Sequence, residues 1–190
     1  MDGIFSGFGL AGAAGLNAYI PLLLLGIAGR AGYADLNAPY DVLSSPVGLG
    51  VLTVLLTIEV LADKVPGVDH VNDIINTVVR PAAGGALFLS SNGAGTINPV
   101  LAALLGLLVA GGVHATKATA RPLVTATTGG LGNPVVSIIE DLLSLFGALL
   151  AIFAPVLVVV FLLVLCLFLA LIVRRRRARR AATRGGYATG

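Results

Sequence analysis

From Leu145 to Val173 the chain runs for 29 residues without a charged or strongly polar side chain. As one helix, at 1.5 Å per residue, this stretch would measure about 43 Å, against roughly 30 Å for the hydrocarbon of a bilayer. It is expected to form two antiparallel spans divided near Ala154-Pro155, with a single kinked, tilted helix as the alternative. The rest of the chain is of the same kind. Hydrophobic residues make up 57% and charged residues 11%, where soluble domains carry about a quarter charged. The apolar runs are continuous rather than alternating, which argues against a transmembrane barrel. With 25 glycines and no tryptophan, helix packing is expected to rely on close backbone approach. The fold class that follows is all-α: a polytopic transmembrane helical bundle of about six membrane segments. It forms a single domain, 1–173, followed by a basic, disordered cytoplasmic tail, 174–190.

The first candidate span runs from Phe8 to Gly29, interrupted by Asn17 and Pro21. A turn-rich connection, Arg30 to Ser45, precedes a second helix that begins at Pro46, a residue suited to a first helical turn, and stays apolar to Ala62. Val68 to Arg80 has a clear helical period. Val71, Ile74, Ile75, Val78 and Val79 share one face, and Asp69, Asn72, Asp73, Asn76 and Arg80 form the other. Such a helix either lies at the membrane interface or lines a polar interior, and Pro81 is expected to break or kink it. A further span is expected from Ile97 to Ala115, and another helix from about Pro134. Segments 8–90 and 97–173 then read as two inverted three-helix halves, an arrangement that transporters use.

The tail from Arg174 to Arg184 holds seven of the twelve basic residues and no acid. Directly after an apolar run, this is a cytoplasmic stop signal rather than a nucleic-acid arm, with attraction to anionic lipids as a secondary effect. Six crossings are expected to put both termini in the cytoplasm. The N-terminus lacks the basic region of a secretory signal, so it is expected to be retained. The single Cys166 excludes an internal disulfide.

Ionisable residues are nevertheless embedded in or beside the apolar segments, and charges in hydrocarbon cost roughly 3 kcal/mol each on insertion scales. Glu59 and Asp63 stand four apart, hence on one helix face, as do Asp69 and Asp73. His114, Lys117 and Arg121 are spaced by three and four, and Glu140-Asp141 lies one turn from Ser137 and Ser144. Carboxylates at helical spacing suit a hard cation or a proton relay, Glu59, Asp63, Glu140 and Asp141 being the metal candidates. Arg80 and Arg121, each followed by Pro, suit a phosphate headgroup. The competing reading is that Lys64, Arg80, Lys117 and Arg121 merely pair with the acids and hold the bundle together. No hydrolase elbow, zinc-binding helix or phosphate loop is present, so neither enzymatic activity nor a cofactor is expected.

Certain ordered residues carry a family resemblance: Gly15-Leu16-Asn17-Ala18-Tyr19-Ile20-Pro21, Glu59-Val60-Leu61-Ala62-Asp63-Lys64-Val65-Pro66-Gly67-Val68-Asp69, and Arg80-Pro81. To these add His114-Ala115-Thr116-Lys117 with Arg121, and Asn133-Pro134-Val135-Val136-Ser137 with Glu140-Asp141. Over about residues 8–165 the chain resembles a family of small bacterial integral membrane proteins defined only as a domain of unknown function. The resemblance implies a polytopic helical membrane protein and supplies no substrate.

The expected function is a small transporter or translocase with a polar cavity on the cytoplasmic side, for a cation or a proton-coupled solute. Glu59, Asp63, Asp69, Asp73, Glu140 and Asp141 would bind the ion or carry protons. Lys64, Arg80, Lys117 and Arg121 would balance them or contact an anionic group, His114 would form an interhelical hydrogen bond or titrate, and Asn17 and Asn133 would add amide ligands. The alternatives are an assembly subunit of a larger membrane complex, a homo-oligomer included, and a binder or flippase of an anionic phospholipid or prenyl-phosphate headgroup.

Overall fold

Residues 3–63, 68–93, 95–157 and 160 are described by a computed structural model. Among them the chain forms α1 (Gly3–Leu16), α2 (Tyr19–Arg30), a 3-10 turn (Tyr40–Ser44), α3 (Pro46–Ala62), α4 (Val68–Ser91), α5 (Pro99–Thr128) and α6 (Asn133–Phe153), with no strand. These helices belong to a compact unit of residues 1–158; a second unit, 159–190, lies almost wholly outside the described residues. Lys64, Cys166, the Arg174–Arg184 tail and the boundary expected at 173/174 lie outside them too.

The stretch expected as one span from Phe8 to Gly29 is two helices. Asn17 makes the break: its Oδ1 accepts the N–H groups of Tyr19 (3.1 Å) and Ile20 (3.2 Å), capping α2 as helix-starting residues do. Pro21 sits in the first turn of α2, where its missing N–H costs nothing, and breaks nothing. Helix α3 starts at Pro46 as its sequence predicts, with the Ser45 hydroxyl accepting the Gly48 N–H at 2.9 Å. Along α3 only Leu52 and Glu59 are buried, so this helix lies at the edge of the bundle.

Two prolines lie inside helices, and at Pro81, where a break or a kink is expected, there is no break. Helix α4 continues through Pro81 to Ser91, and α5 through Pro122 to Thr128, well past Ala115. Neighbouring helices hold a proline-containing helix together at modest cost. At Pro81 the neighbour is Gly111 of α5, where a Cβ would only touch the ring at 3.5 Å. Helix α5 instead stops at Gly129, whose φ of 61° gives the left-handed C-terminal cap that glycine adopts without strain. Helix α6 ends at Phe153, just before the expected division at Ala154-Pro155.

Helix α1 is the axis of the unit, packed against α4, α5 and α6, while α2 packs on α6 and α3. Small residues allow this. A Cβ on Gly84 or Gly106 would collide with the other's backbone, and one on Gly15 with the Ala110 carbonyl. Phe8 and Phe88 meet edge to face at 5.0 Å beside this contact.

Polarity is arranged inside out. On α4, Arg80 and Asn76 are 0% and 2% exposed, whereas Ile74 and Val78 of the opposite face are 72% exposed. On α6, Ser137, Glu140 and Ser144 are buried, and Leu143 and Phe146 point outward. Of the two alternatives for residues 68–80, the helix therefore lines a polar interior. Helices α5 and α6 are long and apolar enough to cross a membrane.

Candidate functional site

The inward faces of four elements meet in one buried network of charges. Glu59 sits in the last turn of α3 and Asp63 caps that helix, one turn apart as their spacing requires. From α4 come Asn72, Asp73, Asn76 and Arg80; from α5, His114, Lys117 and Arg121; from α6, Glu140.

Arg80 donates from Nη2 (2.8 Å) and Nε (3.3 Å) to Glu59 Oε1, which also accepts from Asn76 Nδ2 at 3.1 Å. The same Nη2 lies 3.7 Å from Asp63 Oδ2. That oxygen is the hub: Lys117 Nζ reaches it at 3.2 Å and Arg121 Nη2 at 3.1 Å, while Asn72 donates to Oδ1 at 2.7 Å. Lys117 and Arg121 both continue to Glu140 Oε2, at 3.0 and 3.2 Å, and Arg121 Nη1 faces Asp73 Oδ2 at 3.5 Å. His114 takes its tautomer from its neighbours. A guanidinium only donates, so Arg80 Nη1, 3.2 Å away, donates to Nδ1. The ring is then neutral, and its Nε2–H goes to Thr77 Oγ1 at 3.2 Å.

Each cation thus sits between carboxylates. Among the described residues, four acids (Glu59, Asp63, Asp73, Glu140) face three basic side chains (Arg80, Lys117, Arg121), one acid more than bases. Polar capacity is also left over: Glu59 Oε2, Asp73 Oδ1, Arg121 Nε and Ser137 Oγ are buried without a hydrogen-bond partner among the described residues. Burying an unpaired polar group costs about 1–3 kcal/mol, so these atoms are more than packing alone would require.

Several expectations need correction. The charged residues converge, but they interdigitate instead of enclosing a polar chamber. A cavity of about 400 Å³ lies to one side, between α2, α3 and α6. Its lining is apolar (Ile20, Leu24, Leu56, Ile138, Leu142) apart from Asp141. Asp141 faces away from the hub because it follows Glu140 by one residue, about 100° around the helix, and it accepts instead from Asn17 Nδ2 at 2.9 Å. Asn133 exchanges hydrogen bonds with Thr125, at 3.0 and 3.3 Å, and ties the end of α5 to the start of α6. Among the described residues no three His, Cys, Asp or Glu side chains gather as a metal site. For the metal candidates Glu59, Asp63, Glu140 and Asp141 the reason is visible: Lys117 and Arg121 occupy the space between the carboxylates, and Asp141 is turned away. The side chain of Asp69, like the whole of Lys64, is outside the described residues.

Sequence reasoning left Asn72, Asn76 and Thr77 out of the site, although Asn72, Asn76 and Arg80 form a stripe at four-residue spacing that carried the signal. It also missed a main-chain participant, the Leu16 carbonyl, which accepts from Lys117 Nζ at 3.2 Å. That oxygen became available only because α1 stops there.

No curated protein and no solved structure matches the chain. The family model described as a domain of unknown function (DUF4126) matches residues 4–175, and the chain belongs to that family.

Proposed function

We propose, from membership of a family whose definition names no activity, that this is a polytopic protein of the bacterial cytoplasmic membrane. In this reading about six segments cross the bilayer, the termini are cytoplasmic, and the buried charge network moves protons or a small cation. One observation carries it: the helices turn charge inward and leucine, isoleucine and valine outward, and among the described residues the inward acids outnumber the bases by one. Desolvating each ion costs several kcal/mol, and a well-packed apolar core would hold the helices at least as well. An uncancelled carboxylate in such a place has use for a proton or a cation.

The excess of negative charge disfavours the anionic-headgroup alternative, since Arg80 and Arg121 are both committed to carboxylates. The outward apolar faces of α3 and α4 favour a second reading, an assembly subunit that packs beside a larger membrane complex.

The test is reconstitution into liposomes with an imposed pH or cation gradient. Flux above protein-free vesicles, abolished by Glu59→Gln, supports transport. Absence of flux for protons, monovalent and divalent cations, together with copurification of one partner at fixed stoichiometry in mild detergent, would replace it with the subunit reading.

A further inference from the structure

Lys117 reaches out of α5 into a cage of three oxygens from three other elements. They are the Leu16 carbonyl at the end of α1 (3.2 Å), Asp63 Oδ2 at the end of α3 (3.2 Å) and Glu140 Oε2 of α6 (3.0 Å). The ammonium donates hydrogen bonds to the first two and forms an ion pair with the third. Both Lys117 and Asp63 are buried. The carbonyl belongs to the last turn of a helix, the end at which backbone dipoles favour positive charge. None of the three oxygens is brought to its place by the lysine's own helix.

We infer that Leu16, Asp63 and Glu140 form a binding site for a monovalent cation, and that the Lys117 ammonium is its tethered occupant. The charge balance points to a ligand: without the lysine's charge the network would hold, among the described residues, four carboxylates against two arginines. Ser137, one turn before Glu140 on the buried face of α6, also carries a fully buried hydroxyl without a hydrogen-bond partner among the described residues. A free cation in the cage restores the present balance. A single charge fits best, because Arg121 Nη2 lies against the same two carboxylate oxygens, at 3.1 and 3.2 Å, and opposes anything more positive.

This site deepens the transport reading by naming the ion class, but its test reads binding and needs no flux. Lys117→Met keeps the length of the side chain and removes its charge. In mild detergent, sodium, potassium or ammonium chloride is expected to raise the unfolding temperature of this variant, saturating with concentration, relative to choline chloride. The double variant Lys117→Met/Asp63→Asn is expected to show no such shift. A second measurement uses the wild-type protein in vesicles. The chain has two lysines, Lys64 and Lys117, so mass spectrometry after treatment with an amine-acylating reagent gives their labelling ratio. A small cation that displaces the ammonium raises labelling of Lys117 over Lys64 as its concentration rises, and choline does not. A labelling ratio that stays flat in all three salts overturns the proposal, whether or not Lys117→Met folds. So does a folded Lys117→Met that is indifferent to them. A variant that binds the cation while the wild-type protein carries no flux would overturn the transport reading and leave the site standing.

Discussion

The two halves of α4 are held by opposite means. Up to Arg80 the helix is fixed by charge: Asp73, Asn76 and Arg80 enter the network, and the apolar side chains of the same turns face outward. Beyond Pro81 it is fixed by closeness, with Gly84 against Gly106 and Phe88 beneath Phe8. Where lipid replaces water, apolar contact gives little net drive for helices to associate, so only fit and polar bonding remain. One helix uses both, in sequence. The first half is specific because each charge needs its partners; the second is specific because nothing larger than hydrogen fits.

The largest break in this comparison is expected at Asp63. Asp63→Asn keeps the shape but leaves Arg80, Lys117 and Arg121 without their shared negative charge. Losing one partner of a buried ionic cluster costs about 3–5 kcal/mol, read as the loss in unfolding free energy in mild detergent. Next comes the other half of the helix. Gly84→Val drives a branched side chain into the Gly106 backbone and is expected to cost about 1–3 kcal/mol or more, while a cation titration of this variant behaves as wild type.

Smaller still is Asn17→Ala, which removes the cap of α2, about 1 kcal/mol, and the hydrogen bond to Asp141. Amide hydrogen exchange is expected to accelerate first at Tyr19 and Ile20. At the bottom of the scale, Ile74→Ala on the outward face of α4 is expected within about 0.5 kcal/mol in the same unfolding assay. A large loss there would mean that this face is covered by protein, which sharpens the choice between transporter and subunit.

The sequence was readable where structure is local. Ser45-Pro46 starts α3 because a hydroxyl cap and a proline at the first helical position act within one turn. At the start of α6 a proline again sits in the first turn, Pro134, here one residue after the helix begins at Asn133. The charged faces were readable as well, since spacings of three and four decide which side chains share a side of a helix. What could not be read was decided by neighbours. Pro81 stays inside α4 with α5 packed beside it at Gly111, and nothing in its own segment says so. The period of Val71 to Arg80 is equally compatible with a surface helix, and only the partners on α3 and α5 turn its polar side inward. Asn133 looked like a ligand because it is an amide beside a proline; its bonds to Thr125 depend on how far α5 continues.

Helix α3 buries just Leu52 and Glu59 along its length and meets the ionic hub through the residue that follows it, Asp63. Its ionic hold on α4 and α5 is thus concentrated at its last turn, while along the rest of its length it leans on α2. A single proton on Asp63 would act on that hold at one end of a seventeen-residue helix.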